Sequence, residues 1–154
     1  MRRLLFTLAL LTAPMAHAEM APRDGWVVQP TEKSHATLLD SLKSAVKANG
    51  MGVVTQAGPT GVARNRGITI PENRVVGVFN NDFAVKVLAT STAAMIEAPV
   101  RFYVTENTDG TATISYKTPS FVFAPYTGEG GKTLEELAQQ LDVIFAKIAS
   151  EATQ

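Results

Sequence analysis

Val100–Tyr116 reads VRFYVTENTDGTATISY, and this stretch decides the fold. Val100 to Thr105 and Thr111 to Tyr116 are two alternating runs with Asn107-Thr108-Asp109-Gly110 between them. Asp-Gly between alternating runs is a hairpin signal, because glycine takes the positive φ that such turns need. Two adjacent strands are therefore antiparallel. A sheet of that kind with one buried face needs helices to cover it.

Downstream, Pro119 to Gly131 reads as a long loop carrying Phe121, Phe123 and Tyr126. Alternation places Phe121 and Phe123 on one side. There they close the edge of the core, or form a contact with a second copy or a lid on an apolar pocket. Thr133-x-x-Glu136 is a capping box. Leu137, Leu141, Ile144, Phe145 and Ile148 then recur at helical spacing.

Upstream, Gly25 to Gln29 predicts a first strand. Ser34 caps a helix whose stripe is Leu38, Leu39, Leu42, Ala45 and Val46, and Gly50 ends it. Met51 to Ala57 is a strand. Gly58 to Gly67 is a loop or short irregular helix, and Asn73 to Phe79 is a strand. Asn80-Asn81-Asp82 offers caps to a short helix, Phe83 to Ala89. The order β-α-β-β-α-β-β-α predicts an α+β domain over residues 25–150. It has an antiparallel sheet of about five strands, two main helices on one face and a short central helix. No repeat or linker divides it.

The N-terminus predicts export. Arg2 and Arg3 form a positive region, Leu4 to Ala13 is an apolar run, Pro14 breaks it, and Ala16-His17-Ala18 is a small-x-small cleavage site. Residues 1–18 are expected to be a cleaved signal peptide for the general secretory route, leaving a periplasmic protein. The apolar run falls short of the roughly 20 residues a membrane crossing needs, so no membrane anchor is expected after cleavage. Lys and Arg balance Asp and Glu at 14 each, and losing Arg2 and Arg3 tips the balance acidic. Nucleic acid is not an expected partner, since phosphate contacts need a basic face. The chain has no cysteine, which excludes disulfides, thiolate chemistry and a lipid anchor.

In this order of elements the chain resembles the domain-of-unknown-function 302 family, also called TT1751-like. The resemblance rests on Ala63-Arg64-Asn65-Arg66-Gly67, Val78-Phe79-Asn80-Asn81, Ala98-Pro99 and Tyr116-Lys117-Thr118-Pro119, and it covers about residues 25–148. It implies one long sheet with two main helices, often as a homodimer, and no established reaction. The chain departs from the pattern at Gln56-Ala57-Gly58-Pro59-Thr60, where members often carry Asp-His. Phe79 and Asn81 stand where the family's turn has glycine and proline. Activity resting on that histidine is not expected here.

Arg64, Arg66 and Arg74 flank a glycine-rich loop, and Asn80 opens the short helix. Arg64, Arg66, Asn80 and Tyr116 are the candidate residues for a small anionic or apolar ligand, by bidentate contacts and helix amides. Arg101 is expected to pair across the sheet. His35, alone after cleavage, is expected on the solvated surface, and with Met51 and Met95 scattered no metal or cofactor is predicted. Gly128-Glu129-Gly130-Gly131-Lys132-Thr133 ends like a phosphate loop, but Tyr126 stands where a glycine is needed and Glu129 repels phosphate. The function expected is a small-ligand-binding or protein-interaction module. The alternative is an enzyme with a polar site near Asn80 and Tyr116.

Overall fold

The computed structural model describes residues 20–154. The expected signal peptide, residues 1–18, lies outside the described residues. The chain forms β1 (Trp26–Thr31), α1 (His35–Ala48), β2 (Gly52–Ala57), α2 (Thr60–Asn65), β3 (Asn73–Phe79) and α3 (Asn81–Thr90). After a 3-10 turn at Ala93–Glu97 come β4 (Val100–Glu106), β5 (Ala112–Lys117), α4 (Pro119–Phe123) and α5 (Thr127–Thr153). The strands make one antiparallel sheet in the order β1-β5-β4-β3-β2.

The hairpin closes as its sequence requires. Gly110 has φ 83°, and Asp109 Oδ1 accepts from the Thr111 amide at 2.9 Å. The meander β2-β3-β4-β5 then returns the chain to the side of β1. That leaves β1 and β2 on opposite edges, so α1 must carry the chain across the whole sheet. Its 14 residues span about 21 Å, which matches four strand spacings of about 19 Å. The Ser34 side chain accepts from the Thr37 amide and starts this helix.

Alternation assigns the faces. Val100, Phe102 and Val104 of β4 share the helix side with Ala112, Ile114 and Tyr116 of β5, and all six are buried. Leu38, Leu42 and Val46 of α1 and Leu141, Phe145 and Ile148 of α5 cover them. Both edges resist further pairing. Pro30 on β1 has no N–H to offer, and the β2–β3 register shifts between Val53 and Thr55.

Three segments differ from their sequence reading. Pro119 to Gly131 is not a loop: Thr118 Oγ1 accepts from the Phe121 amide, and Pro119 fits the first helical position. In a helix, residues two apart diverge. Phe123 accordingly enters the core at 3% exposure, while Phe121 turns outward at 45%. The long part of the last helix does start near Thr133, after a kink at Gly131, but among the described residues no hydrogen bond closes the Thr133–Glu136 box. Thr127–Thr153 is two helices joined across that kink, where the Gly131 backbone is not helical, and Glu136 faces Lys132 at 3.5 Å. Within Gly128–Thr133 only Gly131 leaves the helical conformation, and the strand before the segment is antiparallel, so it does not follow a parallel strand as a phosphate loop does.

His35 is the third, with 7% exposure instead of a solvated position. Only Glu32-Lys33-Ser34 separates β1 from α1, so the first helical turn folds straight back onto the sheet. Nε2 is buried and has no hydrogen-bond partner among the described residues. Burial holds the His35 pKa below its ordinary value. Glu72, a backbone bond at Val104 and Glu106 act upward, and Arg74 acts downward. The unfolded chain thus takes up the proton first as pH falls, so stability is lost through about pH 6.5 down to the lower folded value. Urea midpoints between about pH 8 and pH 5 are expected to fall for the native protein and to flatten in His35→Gln. An equal slope in both proteins would refute the assignment.

Candidate functional site

Among the described residues every long helix lies on one side, and no helix layer covers the other face of the sheet. Its residues are those that alternate with the core: Trp26 and Val28 on β1, Ser115 and Lys117 on β5, Arg101 and Tyr103 on β4, and Asn73 and Val75 on β3. All of these but Val28 line a hollow of about 870 Å³, mostly apolar at its surface. That volume lies in the usual range for small-molecule pockets, about 300–1,000 Å³. Ala57, Gly58 and Pro59 wall it on the β2 side, and Glu97 and Val122 border it at the end where β4 begins. A second hollow of about 520 Å³ shares Asn73 and Tyr103 with it and leads toward Arg23, Glu72 and Glu106.

The floor is sheltered even without a helix layer. Ser115 is fully buried and its hydroxyl donates to the Tyr103 carbonyl at 3.5 Å. Lys117 Nζ lies 5.6 Å from the centre of the Trp26 ring, and the Arg23 guanidinium lies 5.5 Å from it, both within cation–π range. Tyr126 donates its hydroxyl to Glu97 Oε1 at 2.7 Å, and this bond raises the Tyr126 pKa. Among the described residues no cluster of three or more His, Cys, Asp or Glu is placed to hold a metal.

The family model for a domain of unknown function, DUF302, matches residues 27–150. The chain belongs to the DUF302 family. The crystal structure of an uncharacterized conserved DUF302 protein from Bacillus stearothermophilus aligns with it at a TM-score of 0.74. The alignment covers 84% of this chain and 99% of the other, at 18% identity. At that identity the likeness shows a shared α+β fold. No curated protein matches the chain.

Within this DUF302 fold, the four residues singled out from sequence do not converge. Arg64 lies on α2 and pairs with Glu72 on the surface. Arg66 follows it as the exposed C-cap. Asn80 sits beyond the far end of β3, where its Oδ1 accepts from the Phe83 amide at 3.1 Å and its Nδ2 donates to the Gly50 carbonyl at 2.9 Å. Tyr116 is 4% exposed, its ring among core aromatics, and burial raises its pKa with a smaller effect from Asp142. Arg101 makes no ion pair among the described residues; it faces Gly77 on one side, where the sequence reading expected a partner. The groove residues were visible in sequence only as the polar half of the alternation in β4 and β5.

Asn80 therefore holds two elements together. Asn80→Ala is expected to cost about 1–2 kcal/mol. Asn80→Asp should lose less, since a carboxylate still accepts from Phe83 but cannot donate to Gly50. Chemical unfolding of the two variants reads the difference, and equal losses would count against the double role.

Proposed function

We propose that this DUF302 protein is an exported periplasmic module that binds a small molecule in the groove on its open sheet face. The observation that carries the reading is the hollow of about 870 Å³ floored by Ser115 and flanked by Trp26 and Tyr103. The reading of the address rests on residues 1–18, with Arg2, Arg3, the apolar run and the Ala16-His17-Ala18 site. Among the described residues no helix is long and apolar enough to cross a membrane. An enzyme built on Asn80 and Tyr116 is not favoured, because the first caps a helix and the second lies in the core.

Two measurements test the proposal. Intact mass of protein recovered from the periplasm is expected to begin at Glu19; a chain retaining Met1 would overturn the export reading. The same material under native conditions reports a retained ligand and whether two copies pair, as the family resemblance implies. Titration with the flat probes 2-naphthoate and 2-naphthamide, followed by amide NMR, is expected to shift Trp26, Tyr103, Ser115 and their strand neighbours. Shifts confined to the helix side, or none with either probe, would refute the groove as a ligand site.

A further inference from the structure

We infer that the ligand of this groove is a small aromatic anion, with its acid group between Arg101 and Lys117 and its ring over Ser115 against Tyr103. The inference rests on the groove being a ligand site and adds the chemistry of what enters it.

Register supplies the argument. Phe102 pairs with Tyr116, so one step further sets Arg101 opposite Lys117, and Lys117 in turn pairs with Trp26. On the open face this makes one row: Trp26, Lys117, Arg101, Gly77. The next row is Val28, Ser115, Tyr103, Val75. Two cations thus stand side by side on neighbouring strands, a placement that works against the sheet. Among the described residues neither makes an ion pair.

The nearby acids do not relieve them. Glu97 borders the same hollow and keeps its charge, but its Oε1 is turned to the Tyr126 hydroxyl, and among the described residues it is in no ion pair with Arg101 or Lys117. At the other end of the sheet, Glu72 pairs with Arg64, and Glu106 Oε2 accepts from the Glu72 amide at 2.8 Å. An anion seated between Arg101 and Lys117 would remove the repulsion and gain charge-assisted hydrogen bonds, with the guanidinium able to grip a carboxylate by two donors. Successive residues on one face of a strand are about 7 Å apart, so Tyr103 stands one ring's length from Arg101. An arene carboxylate fits that offset, its acid in the first row and its ring over the second. An aliphatic anion would leave the Tyr103 ring unused.

The naphthalene pair separates charge from shape, because 2-naphthoate and 2-naphthamide share a ring and differ in charge. The wild-type protein is expected to bind the carboxylate about tenfold more tightly than the amide, with shifts centred on Arg101, Tyr103 and Lys117. The double variant R101Q/K117Q is expected to bind both alike. Freed of the repulsion, it should also melt about 1–4 °C higher. Equal wild-type affinities would overturn the anion assignment and leave the groove standing as a ligand site; no groove shifts with either probe would remove both. A double variant that melts lower and keeps the carboxylate preference would equally overturn it.

Discussion

Phe145→Ala is expected to lose about 3–5 kcal/mol of unfolding free energy, against a total of about 5–15 kcal/mol for a domain of this kind. Phe145 is fully buried on α5. Its ring stacks on Phe102 at 4.7 Å between centroids and tilts against Tyr116 at 5.8 Å, while Phe102 and Tyr116 meet at 5.0 Å. The three rings come from three elements, α5, β4 and β5, so removing one opens a cavity at the contact between the last helix and the hairpin. Sheet and helix cannot collapse into that space together, because α1 also packs against both. Phe145→Leu keeps most of the volume and should cost about 1–2 kcal/mol. Urea unfolding gives both values. A loss below about 1 kcal/mol for Phe145→Ala would show that this ring cluster does not hold the layers together.

That cluster was half legible before the structure. Phe145 lies on a stripe with Leu137, Leu141 and Ile148, and period alone places all four toward a sheet. Phe102 and Tyr116 lie on the alternating runs of the hairpin. Their meeting depends on which face each run turns inward, and the pairing register fixes that. Tyr116 shows the consequence. Its hydroxyl suggested a site, yet the register puts its ring on the side of Phe102 and leaves Ser115 and Lys117 facing the groove.

The groove itself depends on strand order. Trp26 is 91 positions away from Lys117 and comes to its side only because β1 returns next to β5. Hydrophobic period says nothing about which strands become neighbours. Arg64, Arg66 and Asn80 failed to gather for the opposite reason. They are close in sequence, but β3 runs between α2 and Asn80 as an extended strand and separates them by its whole length. The Pro119–Phe123 segment was misread because two aromatics two apart look the same in a strand and in one helical turn. The signal that decided it was Thr118 followed by Pro119, a cap and a first-turn proline.

Gly131 carries the second large effect. Its backbone sits at φ 57° and ψ −157°, a region open almost only to glycine, and placing another residue there costs about 1–3 kcal/mol. A Cβ at Gly131 would meet nothing within 4 Å, so the cost of Gly131→Ala is backbone strain and not overlap. The bend is what lets the chain run from the Tyr126–Glu97 hydrogen bond at one border of the groove into the stripe that carries Phe145. Relaxing the strain by straightening the helix would pull these two anchors apart. Gly128 is the control. It lies in the helical turn just before the kink, a Cβ there also meets open space, and its φ is not in the positive range, so Gly128→Ala should be neutral or stabilise by about 0.5 kcal/mol. Thermal and urea unfolding of the two alanine variants should therefore move in opposite directions. If both gain stability alike, the bend at Gly131 is a local accommodation, and the position of Tyr126 beside Glu97 does not depend on it.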